Sequence, residues 1–204
     1  MLLSIHPQNP ETRKIKQVVD CLQSGGVIIY PTDTVYAFGC DINQSRAFER
    51  ICQLKKIKPE KANFSILFND LAHISDFTKP FSNTVFKLLK KHLPGPYTFI
   101  LEANTNIPKI FRHSKKTIGI RIPNNIICKD IVTLLDQPLI TSSLHDDDEI
   151  IEFTTDPEEI YKKYEKHVDI VIDGGFGNNT PSTVVSCIDG NIEVIREGAG
   201  EIDF

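Results

Sequence analysis

Residues 25–40 read GGVIIYPTDTVYAFGC, and the fold is decided there. The glycine pair stops the helical spacing of Ile15, Val18, Val19 and Leu22 and launches an apolar run from Val27 to Tyr30. Pro31 has no N–H to give a ladder, so regular pairing ends there. Thr32, Asp33 and Thr34 follow, three small hydrogen-bonding side chains where the strand should end. In open α/β sheets ligands sit outside the carboxyl ends of strands, so the cluster has the makings of a small-molecule pocket. Pattern alone favours a plainer reading, a strand-to-helix turn in which Thr or Asp caps the next helix.

Working outward, apolar spacing predicts helices over 10–24, 45–56, 71–74, 83–91, 126–135 and 157–166, the last capped by Asp156. It predicts strands over 27–30, 63–68, 97–101, 117–121, 139–142, 168–172, 183–188 and 193–195. Pro94–Gly95–Pro96 is a firm break, and Asp146, Asp147, Asp148 and Glu149 read as an exposed acidic loop. Strands and helices mix without strict alternation. The expectation is an α/β chain with a twisted, open, mixed sheet flanked by helices, a single domain over 1–204 with no repeat or linker.

Composition narrows the function classes. Hydrophobic residues make up 40%, and no apolar run approaches the roughly 20 residues of a membrane span, so no membrane partner is expected. The N-terminus turns polar after three apolar residues and does not read as a signal peptide. Five cysteines with no CxxC pair read as reduced thiols of a cytoplasmic protein, and the scattered histidines give no structural metal site. Charge is unevenly placed. Residues 51–130 carry fourteen Lys/Arg against five Asp/Glu, and residues 131–204 carry four against seventeen. A basic middle segment suits phosphate or nucleic acid, although solvated helix faces explain such lysines as well.

Beyond the pattern, PTDTVYAFG resembles the threonine-binding PTxTxYGLG segment of the YrdC/YciO family. LKKIKPEKANFSILFND (54–70) is similar to that family's KxRP segment, PGPYTFIL (94–101) to its PGPxTxIL, and TIGIRIPNN (117–125) to its TxGxRxPxH. LITSSL (139–144) stands where the family has STSAN, and PSTVV (181–185) and REGAG (196–200) resemble PSTVVD and RxGxI. The matches keep family order across residues 25–200, and the opening IHPQNPETRKIKQVVDCLQSGG is more similar to the YciO branch. The end soon after REGAG leads one to expect that the extra domain of longer relatives is absent.

The resemblance implies an L-threonylcarbamoyladenylate synthase, a nucleotidyltransferase. It joins L-threonine, bicarbonate and ATP, with Mg²⁺, and serves tRNA modification alongside partner proteins of that pathway. It assigns catalysis to Lys56, Lys58 and Arg121, and threonine binding to Thr32, Thr34, Tyr36, Arg121 and Ser182. Nucleotide binding falls to Lys56, Lys58, Ser142, Ser143, Thr183 and Arg196. Cations and positioning carry most of such phosphoryl chemistry, which is why these residue types matter. Read for themselves, the lysines also suit a helix C-terminus, the threonines suit caps, and Tyr36 suits packing. Departures are Lys58 for arginine, Asn125 for histidine, Leu144 for the nucleotide-contacting asparagine and Ser186 for aspartate. They leave two alternatives open: a YciO-type module binding tRNA or double-stranded RNA with weak or no synthase activity, and a nucleotide-dependent acyltransferase of another substrate.

Overall fold

The computed structural model describes residues 1–62, 64–108, 116–144 and 155–203. The acidic loop at 146–149, Lys115 and the predicted strand start at Asn63 lie outside them. Ten strands, β1 (Leu2–Ser4), β2 (Ile28–Tyr30), β3 (Ala37–Asp41), β4 (Ser65–Leu67), β5 (Tyr97–Glu102), β6 (Thr117–Arg121), β7 (Leu139–Ser143), β8 (Ile170–Asp173), β9 (Thr183–Ile188) and β10 (Asn191–Arg196), form one sheet. Their order is β1-β8-β2-β3-β7-β4-β6-β5-β9-β10. Four parallel pairs (β1/β8, β2/β8, β4/β6, β5/β9) mix with antiparallel ones, giving the mixed sheet expected.

Five helices cover it: α1 (Thr12–Gln23), α2 (Ser45–Leu54), α3 (Asn83–His92), α4 (Ile126–Leu135) and α5 (Pro157–Tyr164). Side chains alternate across a strand, so each face gathers its own core. Phe38, Ile66, Phe99, Ile118, Ile120 and Ile140 pack one core with the apolar sides of α2, α3 and α5. Ile28, Tyr30, Ala37, Leu67, Leu139 and Ile172 pack the other with α1 and α4. This second core takes no residue from β6, β5, β9 or β10. On that half of the sheet the same face carries Thr98, Gly119, Arg121 and Ser186 among Ile100, Val184 and Ile188.

Four expectations need correcting. Thr32–Thr34 does not lead into a helix: it joins β2 to antiparallel β3, through Tyr30↔Ala37 and Ile28↔Gly39. β3 escaped the pattern because it is buried on both faces and interrupted by Gly39, whose Cβ would stand 2.7 Å from Tyr30 Cε1. Residues 71–74 form a turn leading into a short 3₁₀ segment at Ile74–Asp76, and α5 stops at Tyr164. β1, three residues long, was too short to read. Asp156 caps α5 as expected, accepting the Glu158 N–H at 2.9 Å.

Candidate functional site

The β2–β3 connection is held from within. Thr32 Oγ1 accepts the Thr34 N–H at 3.0 Å, donates to the Val35 carbonyl at 2.7 Å, and lies 3.1 Å from Thr34 Oγ1. Both threonines are buried. The loop then meets the end of β6. Arg121 Nη2 donates to Asp33 Oδ1 at 3.0 Å and to Thr34 Oγ1 at 3.1 Å. Asp33 Oδ2 accepts the Asn124 N–H at 2.9 Å. Asn178 closes the third side, its N–H on the Thr34 carbonyl (3.1 Å) and its Nδ2 on the Asp33 carbonyl (3.2 Å). The side chains of Arg121 and Asp33 are 7% and 9% exposed.

Arg121 Nε is buried and has no hydrogen-bond partner among the described residues. Such a donor carries a desolvation cost of about 1–3 kcal/mol, more for a charged group, until an acceptor reaches it. The register explains where it points. Arg121 pairs with Leu67, so it shares the face of the second core. Next along that face, Gly119 pairs with Ser65 and Ser65 with Thr141. A Cβ on Gly119 would collide with Ser65 Oγ and come within 3.2 Å of Thr98 Cγ2. Thr98 Oγ1 and Ser182 Oγ are 2.8 Å apart, and Thr141 Oγ1 accepts the Tyr30 hydroxyl at 2.6 Å. A guanidinium edge thus borders a row of hydroxyls, a donor set for a carboxylate on a hydroxyl-bearing skeleton.

The remaining expected residues sort themselves by contact. Tyr36 OH donates to the Gly175 carbonyl at 2.7 Å; burial pushes its phenol well up, so it stays a neutral donor. Ser143 is on the same face as Arg121, but Ser142 pairs with Phe38 and shares its side, facing the first core. Thr183 Oγ1 donates to the Gly200 carbonyl (2.5 Å) and accepts the N–H groups of Gly198 (3.0 Å) and Gly200 (3.1 Å), so it pins the REGAG turn. Arg196 clasps the Ser182 carbonyl through Nε (3.3 Å) and Nη2 (2.9 Å). Lys56 and Lys58 are exposed beyond the end of α2, Lys56 in the left-handed region at φ 54°. The lysine that reaches back to the sheet is Lys55, whose Nζ donates to the Ser143 carbonyl at 2.8 Å. Asn125, at the family's histidine position, caps α4 through the Cys128 N–H, and Leu144 packs against the first core. The described hydrogen bonds therefore bring Thr32, Thr34 and Arg121 together, and join Ser182 separately to Thr98. They do not join Lys56, Lys58, Ser142 or Thr183 to that group.

Thr98, Ser65 and Asn178 lie at the candidate site and were not picked out; Asp33 was read in the polar cluster but given no role. Asp33 stood in the decisive stretch but gave no sign of its partner. Thr98 was readable as the polar position in the alternating YTFIL run. Among the described residues no group of three or more His, Cys, Asp or Glu is placed to hold a metal. A Mg²⁺ here would be carried chiefly by nucleotide phosphates, as Mg²⁺ commonly is.

An open mixed sheet flanked by helices, with a buried Arg121–Asp33 ion pair where β6 ends, defines an α/β protein. The chain belongs to the Sua5/YciO/YrdC family, whose profile, described as "Telomere recombination", matches residues 20–198. It is 40% identical to the YciO protein of Escherichia coli (strain K12) over 200 residues, covering 97% of this chain and 95% of that one. The crystal structure of E. coli YciO superposes with a TM-score of 0.91 at 38% identity, over 98% and 97% of the two chains. A putative threonylcarbamoyl-AMP synthase of Methanocaldococcus jannaschii is 32% identical over 208 residues, covering 97% and 92%. The fold is also that of P. abyssi Sua5 complexed with L-threonine, with a TM-score of 0.87 at 21% identity over 97% of this chain and 57% of that one. Among the described residues no helix is long and apolar enough to cross a membrane.

Proposed function

We propose that the chain, as one domain over 1–204, is a cytoplasmic L-threonylcarbamoyladenylate synthase. In this reading Arg121 and the hydroxyls of Thr32, Thr34 and Ser182 receive L-threonine. Bicarbonate carbon bonds to the threonine amine with loss of water, and a carbamate oxygen attacks the α-phosphorus of ATP, expelling pyrophosphate. The threonylcarbamoyl-AMP formed supplies the N6-threonylcarbamoyladenosine of tRNA through partner enzymes. Lys56, Lys58, Ser143 and Arg196 are the groups proposed to take the nucleotide. The observation that carries the reading is the buried, unpartnered Arg121 Nε beside the threonine hydroxyls. The M. jannaschii relative, by its name, supports the reaction.

Incubation with ATP, Mg²⁺, bicarbonate and L-threonine should release pyrophosphate and an AMP-linked product, and omission of threonine should abolish both. Threonine-independent pyrophosphate release, or none at all, refutes the reading. A second reading, an RNA-binding module, is favoured by the exposed Lys56, Lys58 and Lys61 on one short connection. It requires tRNA or duplex RNA affinity that falls steeply with salt in an anisotropy titration.

A further inference from the structure

Asp33 has no task in that scheme, yet it is held from three sides: by Arg121, by the Asn124 N–H and, through its carbonyl, by Asn178. Its carboxylate lies 3.0 Å from the guanidinium in a pair whose side chains are both under a tenth exposed. Arg121 therefore meets a ligand with its charge already balanced. A lone carboxylate approaching the guanidinium feels the repulsion of Asp33 almost as much as the attraction of Arg121, and little water is present to screen either. A ligand that carries a cation one carbon from its carboxylate sets that cation against Asp33 and restores the balance.

We propose that Asp33 is a specificity-determining residue that makes the Arg121 pocket select a zwitterion, an α-amino acid, over a simple carboxylate of the same shape. It acts through its fixed charge and through holding Nη2 in place. The proposal rests on the reading of this pocket as the amino-acid site.

Titration calorimetry at low ionic strength with three ligands of one skeleton tests it: L-threonine (zwitterion), 3-hydroxybutyrate (the same chain without the ammonium) and L-threonine methyl ester (cation). The wild-type protein should bind L-threonine at least tenfold more tightly than 3-hydroxybutyrate. Asp33→Asn loses the charge and keeps one oxygen, for either Nη2 or the Asn124 N–H, with an amide NH₂ where the other oxygen stood. It should cut that ratio at least tenfold, threonine weakening while 3-hydroxybutyrate gains. A wild-type protein that binds 3-hydroxybutyrate as tightly as threonine overturns the inference. So does a folded Asp33→Asn that gains nothing for 3-hydroxybutyrate, or one in which both ligands weaken equally, the mark of a purely structural role. If Asp33→Asn does not fold, the wild-type ratio decides. The two claims separate cleanly. Threonine binding with an unchanged ratio in Asp33→Asn removes the inference and leaves the amino-acid site. No threonine binding in the wild type removes the amino-acid site and, with it, the inference.

Discussion

Replacing Arg121 by methionine should be among the costliest single changes in the protein. The Nη2–Oδ1 separation is 3.0 Å and both side chains are under a tenth exposed. At an effective dielectric of about 20, two unit charges at that distance attract by ~5 kcal/mol. Desolvation of the two ions offsets much of this, so the intact pair adds little net stability. Removing one partner is different, because Asp33 then stays buried with the Asn124 N–H as its remaining described donor. Such orphaned charges cost about 3–5 kcal/mol. For a chain of this size that is roughly 6–20 °C in Tm. Urea unfolding followed by circular dichroism should show the midpoint falling with m unchanged. The double variant Asp33→Asn/Arg121→Met removes both charges and should recover at least about 2 kcal/mol of the single loss, a coupling read from the double-mutant cycle. The contrast is Lys162–Glu159, closer at 2.7 Å but with both side chains mostly exposed, where Lys162→Ala should leave Tm unchanged. An Arg121→Met loss under about 1 kcal/mol, as found for exposed pairs, or strict additivity in the cycle, refutes the reasoning.

Two further outcomes follow from contacts already given. Thr183→Val strands the Gly198 and Gly200 N–H groups and should cost about 2–4 kcal/mol in urea unfolding, while any threonine affinity changes less than twofold; a loss within about 0.5 kcal/mol shows that the turn stands without its pin. Stability should also fall in alkali. Burial pushes the Cys187 and Cys21 thiols up to about 11, whereas thiols of the unfolded chain ionise near 8.5. The folded state therefore binds the extra protons, its advantage is complete below about pH 8.5, and it is lost between there and about pH 11. The Tm should hold level from pH 7 to 8.5 and then decline, and Cys187→Ala should decline less steeply; identical slopes would exclude the buried thiol as a cause.

The sequence was most legible where structure is local. α4 and β6 fall on the expected boundaries because Asn125 supplies a cap and the TIGIR run alternates cleanly. β3 was missed because burial on both faces leaves no alternation to see. At the site, Thr32, Thr34 and Arg121 were readable from their places at strand ends and from the family resemblance. The Asp33–Arg121 pair was not: the partners are 88 residues apart, and nothing in either neighbourhood encodes the other. Ser142 and Ser143 looked equivalent as neighbouring hydroxyls, but the period of the strand sends one to each face. Thr183 looked like a ligand hydroxyl because its three hydrogen bonds go to a turn fifteen and more residues ahead, invisible until the REGAG segment folds back.

The place of β8 between β1 and β2 has a consequence for how the chain is made. Ile28 pairs with Ile170 and Leu2 with Val171, so the strand that completes the amino-terminal end of the sheet is synthesised on the order of 140 residues after β2. At translation rates of about 5–20 residues per second, β2 waits roughly 7–30 s with one flank unpaired. Through that interval Ile28, Ile29 and Tyr30, all fully buried in the finished protein, have no neighbour on that side. Ribosome-bound chains that stop short of Asp173 should therefore be protease-sensitive and engage chaperones, and the Arg121 pocket, which needs Asn178 as its third wall, should be among the last parts to form.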